Sequence, residues 1–101
     1  MKIEVLHVPG CPNYEPAVER IRKVLASESV QVGIRAVSVS TEAEAKALLF
    51  PGSPTVRING EDVETTRTTV PSLSCRLYEN LSGIPSEELL GSVISNAKQR
   101  E

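Results

Sequence analysis

Tryptophan is absent from the chain, and Tyr14, Phe50 and Tyr78 are its only aromatic residues. The core must then be built from Val, Ile, Leu and Ala, which pack well on a pleated sheet. Long apolar runs are also missing, and none approaches the roughly 20 residues of a membrane span. The start, Met1-Lys2-Ile3-Glu4-Val5, carries charge inside its first apolar run. It reads as a strand, too short and too interrupted for a signal peptide, and a cytoplasmic location with no membrane partner is expected. Basic runs are lacking too: 11 basic residues against 13 acidic give a formal charge of −2, with no patch interleaved with aromatics. That removes the electrostatic ground for nucleic-acid binding. Only two cysteines occur, Cys11 and Cys75. In a reducing compartment such a pair serves as working thiols or as small buried hydrophobes, not as a structural disulfide.

At 101 residues and 40% hydrophobic content, the chain suffices for one domain without staples. By surface scaling it buries roughly two thirds of its unfolded surface. Residues 2 to 8 are β-branched and apolar, a strand covered on both faces, ended by Pro9 and Gly10. Asn13 is placed to cap a helix whose first turn holds Glu15 and Pro16. Ala17, Val18, Ile21, Val24 and Leu25 then recur at helical spacing to about Ala26. Alternation from 30 to 39 predicts a second strand, and the crossover makes it a parallel neighbour of the first.

Thr41 with Glu44 forms a capping box for a short helix over Glu42 to Leu49, stopped by Phe50-Pro51-Gly52. Thr55 to Ile58, Asn59-Gly60 and Glu61 to Glu64 read as a hairpin. Residues 65 to 72 read as a polar loop, and Ser74 to Tyr78 as a short edge strand or extended segment. A last helix spans about Ser86 to Lys98, with Leu89, Leu90, Val93, Ile94 and Ala97 on one face. No repeat or linker is visible.

Two stretches carry the chemistry: Pro9-Gly10-Cys11-Pro12-Asn13-Tyr14 after the first strand, and Gly52-Ser53-Pro54-Thr55-Val56 before a later one. A cysteine in a strand-to-helix turn meets the partial positive charge of unpaired amides, which favours thiolate and makes a nucleophile near neutral pH. The alternative is a buried, inert cysteine. The Tyr14 hydroxyl could donate to a thiolate or ligand; equally, its ring could cap the core. His7, the only histidine, reads first as a packed or edge residue and second as a ligand or proton carrier. Arg57, Arg67 and Arg76 could neutralise an anionic substrate, although solvated surface charge is the plainer account.

In these motifs and in its βαβαββα order the chain resembles the thioredoxin-like superfamily, within it small single-domain proteins related to the thiol domain of alkylmercury lyase. The resemblance covers nearly the whole chain. It implies one thioredoxin-like α/β domain over residues 1–101. The sheet would be mixed and four-stranded, Ser74 to Tyr78 a candidate fifth short strand, with helices on both faces. It also implies a cis Ser53-Pro54 bond, in a loop (Ser53, Pro54, Thr55) that faces Cys11 and offers backbone groups to an extended substrate. The ordinary alternative is a proline opening a strand.

The redox form of the site has a second cysteine where Tyr14 stands, so internal resolution through Cys-x-x-Cys is impossible here. The Cys11 to Cys75 separation is similar to that of the two mercury-handling cysteines of the lyase. Two such thiolates suit Hg(II) or Cu(I) and are too few for a closed zinc site. Tyr14 occupies the place of that lyase's proton-delivering aspartate, with Glu15 one residue off, which undercuts carbon–mercury cleavage while leaving metal binding. Cys75 could also be a packed residue unrelated to Cys11.

Three functions follow as expectations. The first is thiol-disulfide exchange or thiol transfer with a thiol- or disulfide-bearing protein or small molecule, using Cys11, Cys75 and Tyr14 and no cofactor. The second is soft-metal or organomercurial binding, with Cys11 and Cys75 the only candidate ligands. The third is a non-catalytic interaction domain, favoured by Tyr14.

Overall fold

A computed structural model describes residues 1–64 and 70–100. Strand β1 (Ile3–His7) leads into helix α1 (Tyr14–Ser27), then β2 (Ile34–Ser38), α2 (Glu42–Leu48), β3 (Thr55–Ile58), β4 (Glu61–Asp62) and α3 (Glu87–Gln99). The sheet order is β2-β1-β3-β4. Strand β1 runs parallel to β2 with Ile3 opposite Ile34, and antiparallel to β3 with Leu6 opposite Thr55. Among the described residues the domain is therefore α/β, with a mixed sheet of four strands and three helices.

Alternation along the strands divides the core in two. Ile3 and Val5 of β1 and Val56 and Ile58 of β3 meet Val18, Ile21 and Leu25 of α1 and Leu90 and Ile94 of α3. Leu6 faces the other way and joins Val39, Ala45 of α2 and Phe50. Each fully buried Ile, Leu or Phe among these contributes about 1.5–3 kcal/mol before entropy is counted. Lys23 of α1 pairs with Glu87 of α3 at 2.8 Å, and this holds the Glu87 carboxyl below its ordinary range.

Local signals account for most boundaries. Thr41 Oγ1 accepts from the Glu44 amide at 3.1 Å, and Glu44 Oε1 accepts from Ser40 and Thr41, which holds its carboxyl low. Ser86 Oγ caps α3 by accepting from the Leu89 amide at 3.0 Å. Asn59 and Gly60 both have positive φ, 54° and 84°, as a two-residue hairpin turn of this kind requires. The turn is tied to the start of β1, since the Asn59 amide donates to Lys2 O at 2.7 Å and the Lys2 amide to Asn59 Oδ1 at 2.9 Å.

Two expectations are corrected, and of the alternatives for Ser74 to Tyr78 the short strand drops out. Residues 30 to 33 are not strand: the β1–β2 register begins with Ile3 opposite Ile34, so the earlier residues have no partner strand. Val30 instead donates to Leu25 O and helps close α1. The returning hairpin strand is Glu61–Asp62 alone, although Val63 still donates to Val56 O. Ser74 to Tyr78 forms no strand, only a single bridge between Cys75 and Ser53. The expected loop over 65 to 72 lies partly outside the described residues, and so does Arg67. Among the described residues no helix is long and apolar enough to cross a membrane.

Candidate functional site

Cys11 lies in the turn between β1 and α1. Its amide donates to Val8 O at 3.2 Å, and its carbonyl accepts from the Tyr14 amide at 3.3 Å. Gly10, with φ of 77°, makes the tight reversal possible. The Tyr14 amide is thus spent on Cys11 O and Pro16 has none, so of the first three amides of α1 only that of Glu15 is left to polarise the turn. Asn13 does not cap α1 with its side chain. Its amide group lies instead against Gly83, so close that a Cβ there would collide with it. The residue 80–84 loop therefore passes close beside the Cys11 turn.

The Tyr14 ring is half-buried against the main core cluster and lies tilted against the His7 ring, centroids 4.1 Å apart. His7 Nδ1 donates to Val8 O at 3.1 Å. The two rings lie against each other beside the turn.

The second stretch is an anchor. The Ser53–Pro54 bond is cis. Ser53 is fully buried, and its Oγ accepts from the Val8 amide at 3.0 Å. Its own amide donates to Ser74 O at 2.9 Å, and its carbonyl accepts from the Arg76 amide at 2.9 Å. Cys11 hangs on Val8, Val8 on Ser53, and Cys75 sits between the two residues that clasp Ser53. One buried serine therefore ties together the chain segments that carry both cysteines. Both thiols are free; Cys11 is half-buried and Cys75 exposed. Ser53, Pro54 and Thr55 are all buried, so their side chains work inside the domain.

Behind this anchor is a polar network the sequence reading missed. Arg76 was expected as solvated surface charge, yet the residue is only 5% exposed. Its Nη1 and Nη2 bond Asp62 Oδ2 at 2.7 Å and Oδ1 at 2.9 Å, Nη1 also donates to Thr55 Oγ1 and Nη2 to Glu64 O. The guanidinium lies 4.2 Å over the Tyr78 ring. Tyr78 is buried and donates to Pro54 O at 2.7 Å, while Thr55 Oγ1 donates to Gly52 O at 2.6 Å. Burial, opposed by the Arg76 charge and assisted by Asp62, pushes the Tyr78 phenol well above its ordinary range. Arg57 is likewise engaged, bonding Leu48 O and Leu49 O at the end of α2. The only sequence trace of the network was the alternation Cys75-Arg76-Leu77-Tyr78, in which Cys75 and Leu77 are exposed and Arg76 and Tyr78 buried.

A groove of about 400 Å³ runs beside Ser74, between Glu42 and Lys46 of α2 and the stretch Pro71–Ser74. Among the described residues no group of three or more His, Cys, Asp or Glu is placed to hold a metal ion. Compared with family models, characterised proteins and solved structures, the chain finds no match.

Proposed function

We propose that this is a thiol protein of thioredoxin-like type, exchanging thiols and disulfides through Cys11 with Cys75 as its partner. The observation that carries the reading is the shared anchor: Ser53 holds the Cys11 turn through Val8 and clasps Cys75 through Ser74 and Arg76. The βαβαββα order, the sheet order β2-β1-β3-β4 and the cis bond before Pro54 support the thioredoxin-like part of the reading.

In the reaction the Cys11 thiolate attacks one sulfur of a disulfide R–S–S–R. A bond from Cys11 to that sulfur forms, the old S–S bond breaks, and the leaving thiolate takes the electron pair and then a proton from water. Cys75, as thiolate, attacks the Cys11 sulfur of the mixed disulfide and releases the second thiol. The dithiol is oxidised and R–S–S–R reduced to two thiols. Tyr14 shapes the turn and has no covalent part.

The test is treatment of the reduced protein with an aromatic disulfide, followed by intact mass and peptide mapping. Wild type should end as an internal Cys11–Cys75 disulfide, and Cys75→Ser should stop at a mixed disulfide on Cys11. If wild type instead accumulates two separate adducts, one on each cysteine, the paired-thiol reading fails.

A second reading rests on the same two free thiols, whose segments Ser53 joins: capture of a soft cation such as Hg(II). It differs in that affinity for Hg(II) would fall steeply in either Cys11→Ser or Cys75→Ser while the exchange product above would not form in wild type.

A further inference from the structure

Two residues of the Cys75 segment keep their main-chain groups unused, and we infer that this outer edge of residues 75–77 docks an extended peptide, apolar beside Leu77 and basic toward Glu64 and Glu79. The inner side is spent: Ser74 O accepts from the Ser53 amide and the Arg76 amide donates to Ser53 O, both at 2.9 Å. In an extended chain the amide and carbonyl of one residue point to one side and those of the next residue to the other. Those of Cys75 and Leu77 therefore face outward, and among the described residues they bond nothing. Side-chain burial agrees, with Cys75 and Leu77 exposed and Arg76 and Tyr78 buried.

Such an edge suits strand addition, because it is already held in place. Arg76 is bonded to Asp62 at 2.7 and 2.9 Å, and Tyr78 Oη donates to Pro54 O at 2.7 Å. A peptide pairing here orders itself but not the protein, which lowers the cost of docking. Each outward residue offers it one donor and one acceptor. An unpaired edge is ordinarily blunted by outward charge or proline; here the outward side chains are a thiol and a leucine that is 66% exposed.

What occupies the edge follows from its length and its charge. The Ser72–Ser74 turn precedes it, and the turn closed by the Tyr78 amide on Ser82 O follows it, so the pairing strip is short. It is small against the roughly 1,200 Å² that a stable pair of folded surfaces buries, which favours a single strand over a second copy of this chain. At the Leu77 end the Glu79 amide donates to both carboxylate oxygens of Glu64, at 3.0 and 3.1 Å. Among the described residues neither Glu64 nor Glu79 forms an ion pair. Two uncompensated carboxylates beside an exposed leucine select a strand with an apolar residue next to a basic one. Docking requires no thiol chemistry, and Cys75 serves the test only as a point of attachment.

The experiment tethers a peptide to Cys75 of the full chain carrying Cys11→Ser, so that one thiol reacts. The peptide is a cysteine, two glycines and then alternating valine and lysine, added as its disulfide with 2-mercaptoethanol. The reference is the same protein with 2-mercaptoethanol alone on Cys75. Tethering sets a local peptide concentration on the order of millimolar. Amide hydrogen exchange, read by NMR, should slow at Cys75 and Leu77 together by about tenfold or more, as main-chain bonds to both residues require. A peptide with glutamate in place of lysine should protect them about threefold less, and in Glu79→Lys that gap should close. Unchanged exchange, or slowing at Cys75 without Leu77, overturns the inference, and equal protection by the two peptides overturns the basic occupant. Protection already present without peptide and growing with protein concentration gives the edge to a second copy and overturns it too. If Cys11→Ser does not fold, the peptide with serine for its cysteine is added at millimolar concentration to the reduced wild type, and the same two amides decide.

Discussion

Arg76 and Asp62 form a two-point ion pair in which the guanidinium is 3% exposed and the carboxylate 21%. The pair fastens the segment carrying Cys75 to the β3–β4 hairpin, because Asp62 lies on β4 opposite Arg57 of β3. It is a structural clasp next to Cys75.

Removing the guanidinium leaves a half-buried carboxylate without its partner and empties the space under Tyr78. Breaking one side of a buried pair costs about 3–5 kcal/mol. Arg76→Ala should lose about that much in urea denaturation. Arg76→Lys should recover only part of it, since an ammonium can neither bond both Asp62 oxygens in one plane nor stack on the Tyr78 ring as a guanidinium does. A loss in Arg76→Ala below about 1 kcal/mol, the range of an exposed pair, would show the clasp to be ornamental.

Gly52 has φ of 142°, a conformation side chains rarely adopt, and Arg76 Cα stands 3.2 Å from where its Cβ would be. Backbone strain of this sort costs about 1–3 kcal/mol. Gly52→Ala should show a loss of that order and, as the displaced segment is 74–76, a faster reaction of Cys75 with a small alkylating reagent. Gly60→Ala is the control. It meets the same sign of φ but open space, so the alkylation rate should stay at the wild-type value.

Alkaline pH should unfold the protein through Tyr78. Its phenol is pushed up by burial, so above about pH 10, where an unfolded tyrosine ionises, the unfolded chain gives up a proton that the folded chain keeps. The unfolded state then binds fewer protons and stability falls as pH rises; below that pH the two states agree and this residue contributes no slope. Denaturation curves on either side of about pH 10 should show the decline, with tyrosinate absorbance from Tyr78 appearing only as the chain unfolds. In Tyr78→Phe the decline should flatten, with the lost bond to Pro54 O lowering stability at all pH values. A Tyr78 that ionises while the chain is still folded would contradict its placement.

How much of this was legible before the fold depended on how far apart the partners lie. Thr41 with Glu44, Asn59-Gly60 and the apolar spacing of α1 and α3 were readable because each signal and its consequence lie within a few residues. Residues 30 to 33 misled because their alternation is real but β1 gives them nothing to pair with. Asn13 misled in a similar way, since its side chain makes no cap and lies beside Gly83, far along the chain. Arg76 was misread most completely: composition places arginine at the surface, and nothing near it announces Asp62, Thr55 or Tyr78 as neighbours.

By itself the sequence determined the α/β element order, the crossover that sets β1 beside β2, the hairpin and the positions of the two cysteines, because those depend on propensity, periodicity and turn chemistry that act locally. Only the tertiary structure decided that Ser53 is a buried anchor joining the Cys11 turn to the Cys75 segment, and that an arginine clasp pins that segment to the β3–β4 hairpin. Those facts rest on hydrogen bonds between residues 14 to 45 positions apart, and such bonds exist only after the sheet and its two cores have brought the segments together.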